Sequence, residues 1–490
     1  MSRSRLSALD EAFLSLEAPH APMHVGWAAL FTPPSSGPRP SFEALSAHIE
    51  GRLGRAPRYR QKLVDVPLGL GEPVWVDDPG FDIADHVRRA HSVDFGALVD
   101  EVMSTPLVHD RPLWELWIAE HLDDGQIGVV GKAHHCLVDG LAAVELMALL
   151  LDLTPETEVA EQEPWLPASR PSALELAGAA VSDQIDRAIA LALRPLAWAR
   201  SPSRLLEVPE QALRTARAVA HTTLPPATPS GLNGPMSSER HLAFGSRPFE
   251  DLTAIKKRFG TTVNDVLLAA SAGALRGLLQ DRGERPLAAK AMIPVSVGDT
   301  EERWGNRIAF LFLALPCEEP DPLWRLRDVH VAMRERKRSG EPDGAEALLA
   351  GLSYAPRTVR RLASRALASP LLSNLTISNI PGPRVPMYLM GCEAVSAYPV
   401  VPLTDGHGIS VGMTTIHERA CFGVYAQAGL AADADRLLGG INQAIDELLE
   451  LCRDDTPRQA PVTDGAQRKE GAAAALAGAP QPAAVPEPSP

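Results

Sequence analysis

The run His134-His135-Cys136-Leu137-Val138-Asp139-Gly140 holds the residues best able to do chemistry. An imidazole titrates near neutral pH, so its free base can take a proton from a hydroxyl or thiol. His135 is therefore the candidate general base. Asp139 is placed to cap a following helix, its carboxylate accepting from free backbone N–H groups. Gly140 removes a side chain where the backbone must approach something closely. Three rival readings compete. A chance pair of histidines, one exposed and one packed, fits poorly with so ordered a context. A metal site would need a third ligand; none stands at helical spacing, and His121 and Asp123 belong to a different turn, so no metal is expected. A Cys136 nucleophile would need His135 beside it. Neighbours in an extended segment point to opposite faces, so Cys136 reads as a small buried residue.

The elements around this run must hold it still. A strand-like run with Ile127, Val129 and Val130 precedes it, and a helix-like stretch from Leu141 to Leu151 follows. Upstream, Leu9 to Leu16 reads as a short helix and Val25 to Phe31 as a strand. Ser41 to Leu53 reads as an amphipathic helix, with Phe42, Leu45, Ile49 and Leu53 at helical spacing. Val74 to Val76 reads as a strand, and Trp114 and Trp117 precede the strand that leads to His134. Further on, Phe249 to Phe259 and Val263 to Leu278 read as helices. Ala289 to Val297, Ile308 to Leu315, Leu375 to Ile380, Val395 to Tyr398, Ile409 to Thr414 and Cys421 to Tyr425 read as strands. Ala431 to Cys452 reads as a closing helix. Strands and helices mix throughout, so the class is α/β or α+β.

Between Pro155 and Pro235 prolines punctuate the chain. A helical stretch from Ser172 to Leu193 carries Leu174, Val181, Ile185, Ile189 and Leu193 on one side, and a second runs from Glu210 to Val219. This reads as a helical connection between domains, with a helix lying on a lipid surface as the sharper alternative. Beyond Arg453 the tail is rich in Ala, Pro and Gln; it is expected to be disordered and to carry no chemistry.

At 490 residues the chain is long enough for two or three domains. A hydrophobic content of 45% with 22% charged residues fits a globular protein. The net charge of -14 argues against nucleic acid as a partner, because phosphate affinity comes from clustered Lys and Arg. It leaves room for a lipid substrate held by apolar surface. The 5 cysteines are dispersed with no CxxC pair, which reads as reduced thiols in a cytoplasmic protein. Met1 to Leu9 has no apolar run behind its arginines, so no signal peptide is expected. The densest apolar run, Ile308 to Pro316, is far shorter than the roughly 20 residues that span a bilayer. Any membrane contact is therefore expected at the surface.

The motif HHxxxDG resembles the signature of the acyltransferase superfamily related to chloramphenicol acetyltransferase, which includes peptide-synthetase condensation domains. Flanking sequence narrows the resemblance. Leu6-Ser7-Ala8-Leu9-Asp10, Pro22-Met23-His24-Val25-Gly26, Arg60-Gln61-Lys62-Leu63 and Pro73-Val74-Trp75 are similar to the bacterial wax ester synthase/acyl-CoA:diacylglycerol acyltransferase family. So are Pro112-Leu113-Trp114-Glu115, Leu232-Asn233-Gly234-Pro235, Thr262-Val263-Asn264-Asp265-Val266 and Pro294-Val295-Ser296-Val297. Gly305-Asn306-Arg307 and Ser378-Asn379-Ile380-Pro381-Gly382-Pro383 complete the set, in the family's order, from Arg5 to Cys452.

That resemblance implies two chloramphenicol acetyltransferase-like mixed-sheet sandwich domains joined by a helical linker, with a channel between them that His135 faces. The expected divisions are residues 1–160, a linker over 161–235, a second domain over 236–453 and the tail 454–490. It implies an O-acyltransferase that takes acyl-CoA as substrate, with no cofactor, and diacylglycerol or a long-chain alcohol as acceptor. His135 would deprotonate the acceptor hydroxyl as both substrates sit bound together, with no covalent acyl-enzyme. Asn264 would stabilise the oxyanion or order the catalytic loop; its other reading, with Asp265, is a helix cap. Asp139 would be structural, paired with an arginine: Arg60 is the first choice and Arg58 an equal competitor. His134, Gly140 and Asp265 would support the loop.

Pro112, Leu113 and Trp114 would lie near the substrate channel; read without the family, they are a turn and a core aromatic. Asp405-Gly406-His407-Gly408 reads as a loop, with His407 a weak candidate for a second base. Two positions depart from the family pattern: Cys136, where a small residue such as Ala is frequent, and Trp304, where a smaller aliphatic is usual. Peripheral contact with the inner membrane face or lipid inclusions is part of the same expectation. An amide-forming condensation enzyme and a non-catalytic lipid-binding protein of the same fold are the alternatives.

Overall fold

The computed structural model describes residues 6–34, 38–137, 150–156, 165–199, 214–296, 308–352, 355 and 357–453. Among these residues the strands form two six-stranded sheets and one two-stranded ribbon. The chain begins with helix α1 (Ala8–Leu16), whose start is set by a capping box: Ser7 accepts from the Asp10 amide and Asp10 reaches back to Ser7. Strand β1 (His24–Thr32) follows. The ribbon pairs β2 (Gln61–Val64) with β3 (Val74–Asp77).

The first sheet is centred on β1 and β6 (Ile127–His134), which pair antiparallel with His24 opposite His134. Beyond β6 come β5 (Trp114–Ala119) and β4 (Val87–Arg89), the last pair parallel. Every residue of β6 is buried, as its near-continuous apolar composition requires. On the other side of β1 the sheet is completed from the far end of the chain by β12 (Cys392–Val400) and β11 (Tyr388–Leu389). The expected strand Val395 to Tyr398 is thus longer than its apolar core and belongs to the sheet that carries the His-His motif.

The second sheet runs β7 (Arg240–Pro248), β14 (Arg419–Gln427), β13 (Ile409–Ile416), β10 (Leu375–Ile380), β8 (Ala289–Ser296), β9 (Ile308–Leu315). It is mixed: β10 lies parallel to both β13 and β8, and the other pairs are antiparallel. Strand β12 also seats against this second sheet. Gly412 and Gly423 face each other across β13 and β14, and a Cβ on Gly423 would stand 2.2 Å from the Pro399 carbonyl oxygen. Glycine there is what lets β12 bridge the two sheets.

Helix Val263–Asp281 buries Val266, Leu267, Leu268, Leu275 and Leu278. Strand β7 and helices Phe95–Ser104, Pro322–Arg338, Glu341–Leu352 and Arg357–Leu367 were not expected from the sequence. Strand β7 opens and closes on arginines that find partners in the fold. Pro322–Arg338 and Arg357–Leu367 carry so many arginines that their apolar stripe is thin.

Helix α1 is tied to the Arg357–Leu367 helix by buried charges. Arg360 donates to Glu11 at 2.6 Å and to Glu72 at 2.8 Å, and Arg357 donates to the other Glu11 oxygen. Three of the four side chains are buried, so the pairing is a positional lock rather than a surface decoration.

The Ala173–Ala199 helix packs by an unexpected side. Leu176 and Ala180 bury against Val66, Val74 and Val76, whereas Leu174, Val181, Ile185 and Ile189 are exposed. Next to it Leu68 is 93% exposed at the tip of a turn with a positive φ of 58°. Among the described residues, no helix is long and apolar enough to cross a membrane.

Candidate active site

Strand β6 delivers His134 and ends there; His135 follows in a turn. Both are held by main-chain bonds on either side. The His134 amide donates to the Leu113 carbonyl at 2.9 Å and the His135 amide to the Met23 carbonyl at 2.8 Å. The turn closes with the Leu137 amide donating to the His134 carbonyl at 2.9 Å. His134 is fully buried and His135 half-buried.

The His135 imidazole lies face to face with Phe13 of α1, ring centres 3.6 Å apart and planes 20° from parallel. Its Nδ1 is buried with no hydrogen-bond partner. Burial pushes its pKa down to about 4; its own backbone resists this and the neighbouring His134 ring adds to it. The ring is therefore neutral at pH 7, as a proton acceptor must be.

His134 faces the other way. Its Nδ1 accepts from the Cys136 amide at 3.1 Å. Its Nε2 stands 3.6 Å from a Glu17 carboxylate oxygen, and the same oxygen is 3.1 Å from His109 Nε2. Burial would raise the Glu17 pKa, but His109 and His134 outweigh it and hold the carboxyl well below the usual range. His109 is raised by its hydrogen bond to Glu17, against burial. His24, buried opposite His134, accepts from the Leu107 amide at 3.3 Å, and burial holds its pKa well below the ordinary imidazole value. Cys136 is buried and its thiol is pushed up, first by burial and then by the charges of Asp10 and Glu17. A thiol so raised is a poor nucleophile at neutral pH.

The remaining expected residues are placed as follows. Leu113 and Trp114 are buried in the core; Trp114 donates through Nε1 to the Tyr59 carbonyl at 2.7 Å and stacks on His86. Pro112 and Leu113 lead into β5, whose first residue, Trp114, pairs with Ala133 next to His134. The cap of helix Val263–Asp281 is Thr262, not Asn264. Asp265 completes the capping box with Thr262 and also pairs with His330 at 2.8 Å. Asn264 is half-buried in the first turn and takes no part in that cap. Arg60 is turned toward Trp165 and Phe81 and donates to the Glu50 carbonyl at 3.3 Å. Arg58 lies over Trp75 at 4.7 Å and is near enough to Cys136 for its charge to bear on the thiol. Asp139, Gly140, Trp304 and Gly305-Asn306-Arg307 lie outside the described residues. His407 is buried and its ring is used structurally, by Thr404 Oγ1 at 2.9 Å and the Ser373 carbonyl at 3.0 Å. An apolar cavity lined by Trp27, Phe31, Ile49, Leu116, Ile118 and Leu389 touches none of the expected site residues.

Sequence reasoning missed Phe13, Glu17, His109 and His330. Glu17 and Phe13 sit inside the segment that carries the N-terminal motif, so the signal was present but unassigned.

The wax ester synthase/diacylglycerol acyltransferase catalytic-domain model matches residues 6–267, and the WS/DGAT C-terminal-domain model matches 304–449. A probable diacylglycerol O-acyltransferase of Mycobacterium tuberculosis is 30% identical over 464 residues, covering 92% of this chain and 96% of the relative. The solved wax ester synthase/diacylglycerol acyltransferase from Marinobacter aquaeolei VT8 is 25% identical with a TM-score of 0.62, covering 92% of this chain and all of that one. The first condensation domain of the calcium-dependent antibiotic synthetase, 16% identical, shares the fold with a TM-score of 0.58 over 92% of this chain and 97% of that one. The mixed two-sheet architecture expected of a chloramphenicol acetyltransferase-like fold is thus found in full-length neighbours, and the chain belongs to the wax ester synthase/diacylglycerol acyltransferase family.

Proposed function

We propose that this chain moves a fatty acyl group from acyl-CoA to the hydroxyl of diacylglycerol or a long-chain alcohol, with His135 as general base. The observation that carries the reading is a neutral, half-buried imidazole pinned at the end of β6, one face covered by Phe13 and Nδ1 without a partner. A base with so low a pKa is too weak to form a free alkoxide first. The proton must move as the oxygen attacks the thioester carbonyl, and the coenzyme A thiolate leaves as the tetrahedral centre collapses. Both substrates are then bound at once, and positioning them supplies much of the rate. The raised Cys136 thiol leaves direct transfer as the simpler route. The test is CoA release by the purified chain with a long-chain acyl-CoA and either diolein or hexadecanol. Release with ester formed in equal amount is expected. Release without ester, or none with either acceptor, would contradict the reading.

The acceptors are membrane lipids, and the exposed stripe Leu174, Val181, Ile185 and Ile189, next to Leu68, is where we place the lipid contact. Apolar side chains left on one helix face, with the opposite side packed on the protein, suit a helix lying in the interface plane. Replacing Val181 and Ile185 by Asp is expected to reduce co-sedimentation with phosphatidylcholine/phosphatidylglycerol vesicles while leaving the thermal melt unchanged. Undiminished co-sedimentation would place the lipid contact elsewhere.

A further inference from the structure

We infer that Glu17 is a positioning residue for the catalytic turn, acting through His134. The inference rests on the proposed role of His135 and extends it to a residue to which that role assigns nothing. The geometry forms a short relay. The Cys136 amide donates to His134 Nδ1 at 3.1 Å, so that nitrogen carries no proton. The ring hydrogen of His134 therefore sits on Nε2, which is buried and has no hydrogen-bond partner of its own. The Glu17 carboxylate oxygen stands 3.6 Å from it, a contact of charge with the N–H dipole. Its other neighbour is His109 at 3.1 Å, a half-exposed side chain that fixes where the carboxylate points.

The consequence falls on His135. The residues on either side of it are tied to one another through the His134 ring, because that ring grips the amide of Cys136. An imidazole free to change tautomer would present an N–H to the Cys136 N–H, two donors face to face, and the turn would open. Glu17 removes that alternative by favouring hydrogen on Nε2. Strand register brings the pieces together: His24 opposite His134 sets β1 beside β6, and Glu17 lies just ahead of β1. Helix α1 thus supplies Phe13 against the face of the base, and the residue after its end steadies the turn that carries it.

The experiment compares the full-length wild type with Glu17→Ala, Glu17→Gln and His135→Ala, reading kcat, KM for acyl-CoA and acceptor, and the thermal melt. A displacement of 1 Å at a reacting group costs on the order of 100-fold, so a loosened turn is expected to lower kcat by about 10-fold or more in Glu17→Ala, with both KM values nearly unchanged. Glu17→Gln keeps an oxygen dipole facing Nε2–H at 3.6 Å but loses the charge and the ion pair with His109. Its kcat is expected between those of Glu17→Ala and the wild type, even where its melting temperature falls. A folded Glu17→Ala protein with wild-type kcat would overturn the inference, as would a Glu17→Gln protein no faster than Glu17→Ala. His135→Ala keeps the two readings apart: if it retains full activity, the base assignment fails, whatever Glu17 does.

Discussion

His135→Ala is expected to lower kcat by about 10²- to 10⁴-fold, the range a well-placed general base contributes. The protein should still fold. The lost ring contacts are chiefly the stack on Phe13, on a half-buried residue outside the strand ladder. KM for both substrates should change little, because the imidazole acts on a proton in flight. The same site gives a pH dependence of definite sign. With a pKa near 4 in the folded chain, the base is free throughout the neutral range. Acid removes it only as the pH approaches that value. In the unfolded chain the same imidazole titrates near 6.5. The unfolded state therefore binds the proton first, and His135 draws stability down as pH falls from about 6.5 towards 4, with no such cost above that window. Kinetics measured against thermal melts across this range separate loss of base from loss of fold. Near-normal kcat in a folded His135→Ala protein would refute the assignment.

Asn264→Ala is expected to cost about 10²- to 10³-fold in kcat if its amide donates to the developing oxyanion, the range seen when one such donor is lost. Stability should hardly move. Removing a helix cap typically costs about 1 kcal/mol, but the cap here belongs to Thr262 and Asp265, which the substitution leaves in place. Thr262→Ala is the converse: it should lower the melting temperature more than Asn264→Ala does. Unchanged turnover in Asn264→Ala would leave that side chain without a part in catalysis.

How much was legible in the sequence depended on whether a signal was local. Ile308–Leu315 has the expected bounds because a dense apolar run between Arg307 and Pro316 permits little else. Helix Val263–Asp281 began where expected, but its cap was read on the Asn264-Asp265 pair, whereas Thr262 and Asp265 form it, a Thr-x-x-Asp capping box. Strand β7 was invisible because Arg240 and Arg247 break its alternation, and their partners are distant: Arg240 donates to the His20 carbonyl at 2.6 Å and Arg247 to Asp446 at 2.7 Å. The expected apolar side of helix Ala173–Ala199 faces outward, since periodicity shows that a stripe exists but not what covers it.

At the site, the motif alone singled out His135 as the candidate base. Phe13, Glu17 and His109 meet the motif only through the fold. Their sequence separation from it exceeds anything a local pattern can express, and strand register, not spacing, makes them neighbours. Asp265 shows the opposite limit: its capping role was local and readable, whereas its pairing with His330 was not.

The claim at the centre is that the acyl group passes directly from thioester to acceptor, with His135 taking the proton. Mixing the wild-type chain at high concentration with acyl-CoA alone, then quenching and recording intact mass and free CoA, tests it most directly. The account predicts unmodified protein and no burst of CoA until diolein or hexadecanol is added, when CoA and ester appear together. A stoichiometric burst of CoA without acceptor, on a chain made heavier by one acyl group, would contradict it.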